Sequence, residues 1–65
     1  MAIFYIGFLE GSQVPGRLES ARGVEKVSDS CFSVSGGVDI ELNEDHYLIG
    51  GVHIEKPSIA YIDVR

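Results

Sequence analysis

The sequence predicts a small all-β domain, and three observations carry that expectation. Seven Ile and seven Val stand against three Ala, four Leu and two Lys in a chain of 65 residues. Such β-branched side chains pack well on a pleated surface, whereas a helix restricts them against its preceding turn. The eight Gly and two Pro fall between or inside the apolar runs, where turns and bulges need them. The apolar runs are themselves short, and none sustains a helical period.

The length sets one domain, residues 1–65, with a core near the lower limit of independent stability. A chain of this size buries only about 60% of its unfolded surface. The single cysteine, Cys31, excludes an intrachain disulfide. Two His and one Cys without paired spacing do not make a structural zinc site, which needs four ligands.

The first strand is expected over residues 2–9. Alternation fails there, because Ala2, Phe4, Ile6 and Phe8 occupy one face and Ile3, Tyr5 and Leu9 the other. A run apolar on both faces suits a strand covered from both sides, by a curled barrel or by another subunit. This run also lacks a basic n-region and a small-residue cleavage site. It therefore reads as neither signal peptide nor membrane span, and a cytoplasmic protein is expected.

Residues 10–23 read as a long loop with turns at Glu10-Gly11-Ser12-Gln13 and Val14-Pro15-Gly16-Arg17. One helical turn fits Arg17 to Arg22, stopped by Gly23. Strand signals return at Val24 to Ser28, Cys31 to Ser35 and Val38 to Leu42. A hairpin of the last two, closed by a three-residue loop, pairs Val34 with Val38 and Phe32 with Ile40. That register buries Phe32, Val34, Val38, Ile40 and Leu42 and exposes Asp39 and Glu41.

The polar loop Asn43 to His46 leads into a run from Tyr47 to Ile54 interrupted by Gly50-Gly51, which reads as a β-bulge. The bulge turns Val52 and Ile54 inward, onto the face of Tyr47 and Ile49, and His53 outward. After the turn at Glu55-Lys56-Pro57, the strand from Ser58 to Arg65 closes the chain. The expected whole is an antiparallel meander of five or six strands, curled into an SH3-like or OB-like barrel that removes exposed edges. A curved open sheet that dimerises is the alternative.

Net charge is −5, and residues 27–65 carry all of the excess. A surface of that sign repels phosphate backbones, so nucleic-acid binding is not expected. Asp39, Glu41, Glu44 and Asp45 could present an acidic surface to a basic partner, although solvated carboxylates on a turn and strand face are the plainer reading. Nothing there has the spacing of a calcium loop. His46 and His53 lie seven apart, and they could share chemistry only if the fold brings them together.

Positive charge gathers only in residues 11–26. Ser12, Arg17, Arg22 and Lys26 could hold an anionic small molecule such as a nucleotide, without P-loop or GxGxxG spacing to support it. Cys31 reads as a small hydrophobe and the three Tyr as rims of the core. No motif is specific enough to define a family.

The leading functional expectation is a non-enzymatic protein-binding or inhibitory module that acts through protein–protein contact as a homo-oligomer, with Ile3, Tyr5 and Leu9 at its interface. The alternative is the anionic-ligand binder. No cofactor, metal or membrane partner is expected.

Overall fold

The two-sided apolar run at the N-terminus becomes a central strand with neighbours on both edges. A computed structural model describes residues 2–65. In it β1 (Ile3–Phe8) lies between β3 (Cys31–Ser35) and β7 (Ile59–Val64), and β2 (Val24–Ser28) flanks β3. This antiparallel sheet has the order β2-β3-β1-β7. A second antiparallel sheet, β4-β5-β6, is formed by β4 (Ile40–Leu42), β5 (His46–Ile49) and β6 (Val52–Glu55). The molecule is predominantly β, as its composition implies.

Apolar residues on the inner faces of the two sheets make the core. The four-stranded sheet contributes Ile6, Phe8, Val24, Phe32 and Val34, and the three-stranded sheet contributes Ile49, Val52 and Ile54, all buried. The Phe8 and Phe32 rings meet edge to face, with centroids 5.8 Å apart, a favoured aromatic geometry. A helical turn does form in the long loop, but as α1 (Gly16–Glu19), entered from Pro15 and capped at Ser20, short of the Arg17 to Arg22 expected. Its Leu18 is fully buried and is the loop's main contribution to the core. Gly23 ends this region with φ +82°.

Three expectations are corrected. Seven strands form, not five or six. They pair within two separate ladders, and no closed barrel is found among the described residues. The hairpin pairing Val34 with Val38 and Phe32 with Ile40 does not form: Val34 and Phe32 stand opposite Phe4 and Ile6 on one side and Val24 and Lys26 on the other. With both edges of β3 occupied, the chain turns at Ser35–Val38, closed by the Val38 N–H donating to the Ser35 carbonyl (3.1 Å). It then enters the other sheet. Phe32 and Val34 are buried as expected, with Asp39 and Glu41 exposed; Val38 and Ile40 are half-buried, and Leu42 is 66% exposed.

The third correction concerns Gly50-Gly51. They form a two-residue hairpin turn between β5 and β6 instead of a bulge in one continuous strand, with Ile49 opposite Val52. Both glycines have positive φ, +57° and +82°, as a type I′ hairpin turn requires. The inward facing of Val52 and Ile54 and the exposure of His53 hold nonetheless.

Candidate functional site

The inner rows of the two sheets fill each other's space except along one flank. Residues 14–21 supply Val14, Leu18 and Ala21 to the core, and α1 packs against β2. At the other flank lie two sheet edges, β7 of one sheet and β4 of the other. A cleft of about 260 Å³ remains there, lined wholly by apolar side chains. Ile6 and Ile49 form its floor at 0% exposure, and Phe4, Ile40 and Ile62 are its half-buried walls. Leu42 and Val64 stand on its rim, 66% and 58% exposed.

The local reason for the cleft is the shortness of β4. Three residues suffice to set Ile40 against Ile49 and Leu42 against Tyr47, but they leave Leu42 at the end of the strand with little above it. Exposed apolar surface can serve as a contact patch, and this cleft with its rim of Leu42 and Val64 is an apolar candidate.

A second feature lies on the outer face of the three-stranded sheet. His46 and His53 occupy diagonal positions across the β5–β6 hairpin, where His46 opposes Glu55 and Leu48 opposes His53. Their rings stack with centroids 4.3 Å apart and planes 10° from parallel. The Nδ1–H of His46 donates to Asp45 Oδ1 (2.7 Å), and the Asn43 amide donates to its Nε2 (3.3 Å). The Nε2–H of His53 donates to Glu55 Oε1 (2.9 Å). The bond from His46 is the main cause holding the Asp45 carboxyl below its ordinary value. Both ring nitrogens of His46 and the Nε2 of His53 are thus engaged by neighbouring side chains. Among the described residues no three His, Cys, Asp or Glu side chains are placed to hold a metal ion.

Of the interface residues read from sequence, Ile3 and Leu9 are 42% and 48% exposed on the outer side of β1. Tyr5 is half-buried beneath the Arg65 guanidinium, 5.2 Å from its ring centroid. Polar neighbours interrupt this row: Ser33 and Ser35 on β3 and Asp63 on β7 lie directly beside Tyr5 and Ile3. Between Tyr5 and Leu9 the Tyr61 ring covers Gly7 and donates its hydroxyl to Cys31 Sγ (3.6 Å). That bond, first among several causes, raises the Tyr61 pKa.

The candidate anion residues are dispersed. Ser12 borders a depression with Glu10 and Asp29, and Arg22 borders a separate one with Asp39. Lys26 pairs with Asp29 at 3.5 Å, while Arg17 lies exposed on α1. Asp39, Glu41, Glu44 and Asp45 are all exposed along β4 and its flanking loops.

Sequence reasoning missed the cleft and the histidine stack. The signal for the stack was the Gly-Gly dipeptide: read as a two-residue turn, it pairs residue 49 with 52 and sets 46 diagonal to 53. No family model, no curated protein and no solved structure matches this chain.

Proposed function

We propose that this protein is a non-enzymatic binding module that works through protein–protein contact and associates with copies of itself. The observation that carries this reading is the apolar cleft between the β4 and β7 edges, whose rim residues Leu42 and Val64 are exposed in the single chain. Apolar surface removed from water contributes roughly 25 cal/mol per Å². A domain this small, with a core contribution of only about 3–5 kcal/mol, gains proportionately from covering such a surface. The edges beside the cleft add unpaired backbone groups that a partner can bond.

Size-exclusion chromatography with light scattering over a dilution series tests the proposal. The expected mass at high concentration is a multiple of the chain's 7.1 kDa, falling toward that value on dilution. A mass equal to one chain at every concentration up to the millimolar range would overturn it.

A further inference from the structure

We propose that two copies of this chain join by antiparallel pairing of β7 with β7 about a two-fold axis, Ile62 standing opposite Ile62 of the second copy. The inference rests on the reading that the module self-associates, and it names the surface and the register. Its first support is the direction of the backbone groups. Ile3 and Arg65 exchange both of their main-chain hydrogen bonds, each 2.8 Å long. Antiparallel ladders alternate such pairs with non-bonded ones. Tyr5–Asp63 and Gly7–Tyr61 therefore face inward in the same way, and the N–H and C=O groups of Ile62 and Val64 point out from the sheet.

The second support is the lack of protection at this edge. The opposite edge of the same sheet, β2, has a register shift between Lys26 and Ser28 and carries Glu25 and Lys26, features that discourage strand addition. In the other sheet β4 is only three residues long. By contrast β7 runs for six residues without proline. Its one acid, Asp63, is already engaged by the Arg65 Nε–H at 2.9 Å.

Charge and continuity of the inner apolar row then select the register together. A two-fold axis normal to the sheet keeps inner rows inner, so residues of like parity must oppose each other. Centring on Asp63 would set two carboxylates directly opposite, which is destabilising. Centring on Val64 engages little more than the end of the strand. Centring on Ile62 places each Tyr61 against Asp63 of the other copy and opposes no like charges. It also extends the inner apolar row, Ile62 and Val64, past the strand edge beside the cleft mouth, where Leu42 is exposed. A two-fold contact of this kind closes on itself and stops at a dimer.

Cysteine cross-linking in a Cys31→Ser background tests the register. Ile62→Cys brings two thiols together across a bonded pair with Cα atoms about 5.5 Å apart, within disulfide range. It is expected to give a covalent dimer under mild oxidation. Asp63→Cys leaves the two thiols offset by two residues and is expected to remain uncross-linked. Cross-linking through Asp63→Cys and not Ile62→Cys overturns the register, and with it the proposal. Val64→Pro removes one outward N–H per chain and no inward bond, and should weaken dimerisation at least about tenfold with an unchanged circular dichroism spectrum. If wild type is dimeric but neither Ile62→Cys nor Val64→Pro behaves so, the strand pairing fails while self-association stands. A monomeric wild type removes both.

Discussion

Gly7 lies in the middle of a central strand, where the absence of a side chain usually weakens pairing. The Tyr61 ring rests on it so closely that a Cβ at Gly7 would collide with the ring. Covering a strand glycine with a neighbouring aromatic is a known way to restore protection to its backbone. Tyr61→Ala should therefore destabilise the protein by about 1 kcal/mol. In a Gly7→Ala background, where the ring is already displaced, the same change should cost far less. Urea denaturation of the double-mutant cycle should show a coupling above about 0.5 kcal/mol; additive effects would mean the ring gives Gly7 no shelter. Asp45 offers a second test at this scale. Its folded-state pKa lies below the ordinary value of 3.8 because of the bond from His46. A depressed carboxyl adds stability above its unfolded pKa and loses it as pH falls through the folded pKa. Asp45→Asn should accordingly flatten the acid side of a melting-temperature profile, with the two proteins converging at the lowest pH. Parallel profiles would show that the bond does not bear on stability.

At the scale of elements, most strands were legible, but the partners of β1 and β3 were not. β2 and β3 have the bounds that β-branched runs and flanking turn residues imply. Partner choice depends on something no local window contains, the identity of the strands that end up beside the central β1. β3 and β7 take its two edges, and with β2 on the other side of β3 no edge is left for the nearest-neighbour hairpin between β3 and β4. The Gly50-Gly51 error has a different cause, since a bulge and a turn both call for glycine and both turn Val52 and Ile54 inward. The distinction has measurable content. Open space surrounds the Cβ position at Gly51, and only ordinary contacts near 3.5 Å would meet one at Gly50. Cost there is set by backbone angle alone. Gly51→Ala should destabilise by about 1–2 kcal/mol, whereas Gly50→Asn, a favoured first residue of a type I′ turn, should be close to neutral. Equal losses at both positions in thermal denaturation would contradict the turn assignment.

For the whole molecule, the sequence pointed to association through the outer row of β1, and the structure offers a second surface in the cleft between sheet edges. The first was legible as a pattern along one strand. The second depends on which strands end up at the edges, so it could not be read before the topology was known. Two charge insertions separate them. Leu42→Asp and Ile3→Asp both alter exposed residues, so each should leave the monomer's stability nearly unchanged, within about 0.5 kcal/mol. Leu42→Asp is expected to yield a folded monomer by light scattering and Ile3→Asp to retain the wild-type mass. The reverse pattern would return the contact to Ile3, Tyr5 and Leu9.

The central position of β1 also sets an order of events during folding. The strands of the three-stranded sheet are consecutive, joined by a four-residue and then a two-residue connection at most, so their ladders can close early at little entropic cost. β1 must wait for partners about thirty and sixty residues away in the chain, Phe4 with Val34 and with Val64. Such distant closures slow folding. Until β7 arrives, Ile3 to Leu9, seven residues with no charge and no proline, keeps one edge bare. Short uncharged β-prone segments of this kind are the ones that template aggregation. During synthesis on a ribosome, β7 therefore emerges long after the strand whose edge it shields.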